Sequence, residues 1–272
     1  MKQFASRHGV ACLCLAFLVI LVLAAAFAPF LTSVDPLSMS PTERMKPPSA
    51  THWFGTDSYG RDVFVRTLYG GRISLLVGIS VTILATVAGT LIGLVSGYLP
   101  LLDKILMRVM DGIMSIPGVV LAVALMALFK ADILTVVIAI AIPEIPRVAR
   151  LVRSSVKSIK EQEFIQAALV SGSTLSRVLF RHVLPNAAGP LAVQATFVCA
   201  SAILLEAYLS FLGVGLPQEV PTWGNIMSGG RVSVQIAFWS LFYPGVVLAL
   251  TILSVNILGD AIRDAYDPRA KK

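Results

Sequence analysis

Charge is what this sequence lacks. Only 14 % of its 272 residues are Asp, Glu, Lys or Arg, where an ordinary soluble domain has about a quarter. That scarcity argues against a water-soluble globular enzyme. Cysteine is scarce too: Cys12, Cys14 and Cys199 are odd in number, lie in apolar runs and show no metal-ligand spacing. Neither a disulfide framework nor a zinc site is supported. Histidine is confined to His8, His52 and His182, scattered over separate polar segments, so no Ser/His/Asp constellation can be drawn. No glycine is followed by lysine. The G-x-x-x-x-G-K-[ST] loop that cradles a triphosphate is therefore missing. The chain reads as no enzyme in its own right, binding neither cofactor nor metal.

What remains is apolar. Hydrophobic residues make up 56 % of the chain and the mean hydropathy is +0.82, which excludes disorder. Charge-free windows run from Gly9 to Val34, Ile73 to Leu102, Gly112 to Phe129, Val183 to Leu205 and Val232 to Gly259. Each meets or approaches the ~20 residues a spanning helix needs. A shorter apolar stretch from Ile133 runs into Pro143, Glu144, Pro146 and Arg147; a span over 133–152 keeps its neighbours correctly oriented. The expected fold is an all-α integral membrane protein of about six transmembrane helices. The first window begins like a secretory signal peptide, but it exceeds the ~7–15 residues of a signal core and reads as an uncleaved helix.

The net charge of +7 does not mark a nucleic-acid binder, because the bases lie between apolar runs rather than along one polar face. With six spans and both termini on one side, about two thirds of the 22 Lys and Arg share that side. The positive-inside bias places the termini in the cytoplasm. Two loops stand out by size. The first division, 1–72, comprises the first helix and an outer loop ending in an interfacial segment. The second, 73–272, is a five-helix core holding the cytoplasmic loop 153–186.

That inner loop contains good helix formers from Glu161 to Val170. Gly172 sits where a left-handed C-cap is needed, Ser173 is placed to cap a second short helix, and Pro185 to end it. A helix–turn–helix of this kind also reads DNA, but both its ends lead straight into spans. Gln166-Ala167-Ala168, Gly172 and Leu184-Pro185 resemble the EAA…G…LP loop of ATP-binding-cassette importer permeases. Gln166 stands where the family usually has Glu, and His182 where many members have Ile; HVLPN is similar to the peptide and nickel branch.

A second segment, HWFGTDSYGRDVFVRTLYGGRISL from His52, resembles the region before the second span in that branch's second permease subunit. Thr56 or Asp57 is placed to cap a short interfacial helix there. MRVMDGIMSIPG from Met107, LSFLGVGLP from Leu209, PTWGNIM from Pro221 and NILGDAIRDAYDPR from Asn256 extend the resemblance. It implies a permease subunit of a dipeptide, oligopeptide or nickel importer, peptides being the commoner substrate. It also implies a homologous second permease, two cytoplasmic ATPases that use ATP, an extracytoplasmic substrate-binding protein, and a bacterial inner-membrane location. The small Ala167 and Ala168, with Gln166 and Gly172, are the expected ATPase contacts. Intramembrane polar residues draw functional attention: Glu206 reads as pathway lining or as a pair with the second permease. Pro143, Glu144 and Pro146 suggest a broken, cavity-lining helix. A secondary transporter or channel also fits six spans, but needs no cytoplasmic helix–turn–helix.

Overall fold

The computed structural model describes residues 9–129 and 131–266. Of the residues used above for orientation or chemistry, Lys2, Arg7, His8, Lys130, Arg269, Lys271 and Lys272 lie outside it. The architecture is helical: among the described residues the only β pairing is an isolated bridge between Thr56 and Asp62.

Helix α1, Gly9–Ala26, is apolar on every side and packs on the helices α2 and α9 defined below. Helix α2 runs without interruption over Val63–Tyr98, 36 residues or about 54 Å. Its N-cap is Asp62, whose Oδ1 accepts the Val65 N–H at 2.9 Å. The expected separate helix capped by Thr56 or Asp57 is thus absent; the interfacial turns are the first turns of α2 itself. The division at residue 72 accordingly falls inside one helix.

Helix α3, Pro100–Met114, is followed by α4, Gly118–Leu128, at an angle of 88°. The window from Gly112 to Phe129 is therefore not one continuous helix: it is divided between the end of α3 and α4. Pro117 disfavours helical backbone at Ile116, while the Ser115 N–H still closes onto the Asp111 carbonyl. Eleven residues of α4 reach about 16 Å, half a hydrocarbon core.

Helix α5, Ile133–Lys160, continues through Pro143 and Pro146, so the break expected there does not occur. Each proline removes one backbone bond, yet α2 packs along α5 as the most extensive interface in the chain. Gly89, Gly93 and Gly97, four residues apart, face Val148, Val152 and Val156. A Cβ on any of these glycines would lie 2.6 Å from the opposing valine Cβ. Backbone approach of this kind is how helices associate where lipid removes the hydrophobic drive. The rail keeps α5 on course.

After α5 come the short helix α6, Glu163–Val170, a turn, and one α-turn at Leu175–Val178. A π-turn at Leu179–Val183 then leads into α7, Leu184–Phe211. Pro185 does not end the hairpin: it sits in the first turn of α7, where a missing N–H is tolerated. Helix α8, Trp223–Arg231, is a short wedge, and α9, Trp239–Tyr266, closes the fold. By length and composition α1, α2, residues 179–211 and α9 qualify as spans among the described residues, and the bent α3–α4 pair adds a fifth when its two segments are counted together as one broken span. A count of six requires α5 as well, which carries Glu144, Arg147 and Arg150.

The end of the molecule opposite α6 is a packed cap. Thr56 Oγ1 accepts the Lys46 N–H and donates to the Glu43 carbonyl, and Trp239 Nε1 donates to the Thr56 carbonyl at 3.0 Å. Phe54 stacks on Tyr243. Lys46 hydrogen-bonds Glu43 and holds its carboxyl below the ordinary carboxylate range.

Candidate functional site

Three places collect the residues that the sequence singled out. The first is the hairpin after α5. Eight residues make a marginal helix alone, so α6 depends on docking: Ile165 is fully buried in the main core, with Val178 and Val183 beneath the second arm. Phe164, Gln166, Ala167 and Val170 remain exposed, Val170 at 90 %. Gln166 Nε2 donates to the Lys160 carbonyl at 3.0 Å and satisfies an orphan group at the end of α5. A carboxylate at 166 could not donate that bond, which gives the departure from Glu a local reason.

Gly172 has φ +81°, as expected, and the Ser173 N–H reaches back to the Ala168 carbonyl at 3.0 Å. This is a Schellman closure, with glycine where a Cβ would be disfavoured. A Cβ on Gly172 would nonetheless find nothing within 4 Å. Thr174, not Ser173, is the residue next to the second arm. Leu184 is half-buried and Pro185 exposed at the start of α7, where Asn186 Nδ2 donates to the His182 carbonyl.

The second place is a polar cluster on α5. Glu144 is buried, accepts from Arg147 Nη1 at 3.1 and 3.2 Å, and receives the Ser201 hydroxyl of α7 at 2.8 Å. With Pro143 and Arg147 it lines a cavity of about 320 Å3 against the α3–α4 bend. Pro146 is buried instead. The Arg147 and Ser201 partnerships were not anticipated, although the i,i+3 spacing of Glu144 and Arg147 was there to read.

The third place is Glu206. It is fully buried and accepts the hydroxyls of Ser74 on α2 at 2.8 Å and Ser210 at 2.9 Å. These contacts lie within one chain, where α2 and α7 meet the α8 wedge. Trp223 there donates Nε1 to the Thr67 carbonyl, and Asn225 Nδ2 donates to the carbonyls of Leu216, Pro217 and Val220. The P-T-W-G-N run is legible afterwards as a cap, an anchor, a close approach and a clamp. Asp111, on α3, pairs with Arg150 of α5, not with its neighbour Arg108.

Residues 85–272 match the family described as binding-protein-dependent transport system inner membrane component. Residues 5–48 match the N-terminal TM domain of oligopeptide transport permease C. A probable peptide ABC transporter permease protein of Sinorhizobium fredii is 52 % identical over 99 % of this chain and 92 % of the relative. The oligopeptide transport system permease protein of Bacillus subtilis is 37 % identical over 95 % of this chain and 85 % of its own length. A probable D,D-dipeptide transport system permease protein of Escherichia coli is 40 % identical over 93 % and 85 %. Among solved structures, inward-facing MetNI methionine ABC transporter superposes with TM-score 0.54 at 18 % identity. That match covers 71 % of this chain and 94 % of the other and bears on the fold alone.

Proposed function

The chain belongs to the binding-protein-dependent transport system inner membrane components, and from that membership we propose the permease subunit of an ATP-driven peptide importer. Relatives named as peptide, dipeptide and oligopeptide permeases over nearly the whole chain support the substrate class. The observation that carries the mechanism is the hairpin: α6 is fastened to the core through Ile165 and turns Gln166, Ala167 and Val170 outward. A rigid surface helix of this kind can sit in a groove of a partner and pass that partner's closure to the spans as a rigid-body movement. Here the partners are two cytoplasmic ATPases; ATP is bound and hydrolysed by them. Gln166, Ala167, Ala168 and Gly172 form the contact, with Leu184 and Pro185 carrying the movement into α7.

The remaining subunits are a homologous permease completing the pathway and an extracytoplasmic binding protein delivering substrate. The chain sits in a bacterial inner membrane with both termini and the hairpin cytoplasmic. The cap around Thr56 and Trp239 faces outward. On this reading the cavity beside Pro143, Glu144 and Arg147 belongs to the pathway, whereas Glu206 fastens α2 to α7.

The test is reconstitution of this chain with two ATPase subunits, a second permease and a binding protein of the same importer class. Proteoliposomes should accumulate a radiolabelled dipeptide or tripeptide only with ATP. Accumulation of Ni2+ but no peptide would move the assignment to the nickel branch, and accumulation of neither would refute it. Orientation is read separately. External maleimide should label a cysteine at Ser58 or Gln218 and miss one at Ser173; the reverse pattern would invert the topology.

A further inference from the structure

Arg147 stands in the middle of α5, with about 20 Å of helix on either side of it. Its side chain is 55 % exposed, whereas that of Glu144 beside it is 3 % exposed. With α5 as a span, a half-exposed guanidinium lies near the centre of the bilayer. The side chain reaches neither interface from there, since the hydrocarbon core extends about 15 Å to each side. A cation so placed faces a cavity or a polar partner rather than lipid. The chain itself supplies the cavity. Glu144 and Arg147 line about 320 Å3 between α5, α7 and the α3–α4 bend, at the small end of the range for organic ligands.

The guanidinium is only partly engaged. Nη1 donates to both Glu144 oxygens, at 3.1 and 3.2 Å, while Nε and Nη2 meet no acceptor among the described residues. Arg150, one turn on, is occupied by Asp111. The Nε–Nη2 edge of an arginine presents two parallel N–H donors at the spacing of carboxylate oxygens. Glu144 is buried and already bonded by Arg147 and by the Ser201 hydroxyl, so it is not available to a solute. What it does is fix the guanidinium and leave the second edge free.

We infer that the Nε–Nη2 edge of Arg147 takes the C-terminal carboxylate of a passing peptide, with Glu144 as the positioning residue that holds the guanidinium for it. The inference rests on the importer reading above and names the substrate group that this cavity recognises. A peptide brings with it the acceptor that Arg147 lacks. A bare Ni2+ ion finds the opposite: a cation at the cavity wall and a carboxylate that is buried and bonded.

The test uses the assembled permease pair with its ATPases in nanodiscs, with Cys12, Cys14 and Cys199 of this chain changed to Ser and Leu204→Cys as the reporter. Leu204 lines the cavity and is 51 % exposed. Iodoacetamide labelling of that thiol, read by mass spectrometry of this chain, should be slowed several-fold by millimolar di-alanine. The C-terminal amide of di-alanine should need an at least about ten-fold higher concentration for the same protection, and Arg147→Gln should abolish that difference. Arg147→Gln leaves the buried Glu144 without its cation. The combined Glu144→Gln and Arg147→Gln variant keeps an acceptor for Ser201 and is measured beside it, with the same expectation. Equal protection by peptide and amide in the parent, or a difference that survives both variants, would overturn the inference. So would a thiol that is never labelled, meaning that protein closes the cavity, or one that neither compound protects. Labelling needs neither ATP nor the binding protein, so its failure is distinct from a failure of peptide uptake.

Discussion

A Cβ on Gly97 would stand 2.6 Å from the Val156 Cβ and 3.2 Å from the Arg153 carbonyl, whereas one on Gly93 would also meet the Ala149 carbonyl at 2.7 Å. The first obstacle is mostly a side chain; the second is in part backbone, which cannot step aside. Overpacking at such sites costs about 1–3 kcal/mol. Gly97→Ala should therefore lower the amount of folded protein in the membrane and be rescued by Val156→Gly, which moves the bulk across the interface. Gly93→Ala should resist the corresponding Val152→Gly rescue. Detergent-solubilised thermal unfolding of the four variants reads both outcomes, and equal rescue at the two sites would contradict the geometry. Glu206 obeys a different logic, since its two hydroxyl partners need an acceptor rather than a charge. Glu206→Gln should keep near-normal abundance and uptake, while Glu206→Leu leaves the Ser74 and Ser210 hydroxyls without that acceptor at about 1–3 kcal/mol each. Loss of uptake in Glu206→Gln at normal abundance would return this residue to the pathway.

At the scale of the element, α6 shows how a helix too short to stand alone is made usable. Its anchor is Ile165, and removing such a side chain costs about 2–5 kcal/mol. The expected outcome for Ile165→Ala is a frayed α6: faster protease cleavage between Glu163 and Arg177, unchanged membrane abundance, and uptake reduced at least several-fold. Unchanged uptake with a cleaved loop would separate α6 from function. Much of this element was legible in the sequence, because the hairpin is written in local signals: helix formers, a turn glycine, and small residues at fixed spacing. Its ends were not. Pro185 looked like a stop because a proline read alone has no helix before it to continue; the π-turn at Leu179–Val183 supplies that continuation. Pro143 and Pro146 misled for the same reason, since the glycine rail of α2 against which the uninterrupted α5 packs lies some fifty residues away in the chain. Asp62 was overlooked as the cap of α2 because Thr56 and Asp57 offer equally good capping side chains. Tertiary contact recruits those two into the outer cap instead. Glu144 was identified and its partner Ser201 was not; no local pattern links positions on different helices.

Across the whole molecule, two ends divide the work. The end opposite α6 is closely packed, built from interlocked turns and aromatic contacts around Trp239 and the Trp223 wedge. The opposite end presents short helices whose outer faces are unpartnered within the chain. On the proposed function chemical energy enters at that second end from partner subunits: the purified chain should turn over no ATP until the ATPase subunits are added, and a colorimetric phosphate assay checks this. The central claim is that the hairpin is where the partner's movement enters, and Gly172 tests it once the cost to its own turn is controlled. At φ +81° with no atom near its missing Cβ, the position has room for a side chain in this subunit. The conformation penalises one by roughly 1–2 kcal/mol. Asparagine tolerates that backbone, so Gly172→Asn serves as the control for the turn. The decisive measurement is ATP-dependent peptide uptake by Gly172→Trp in the reconstituted complex. The account predicts uptake abolished and ATPase co-purification weakened, at near-normal membrane abundance and with Gly172→Asn still active. Wild-type uptake by Gly172→Trp, with the ATPases bound, would contradict it.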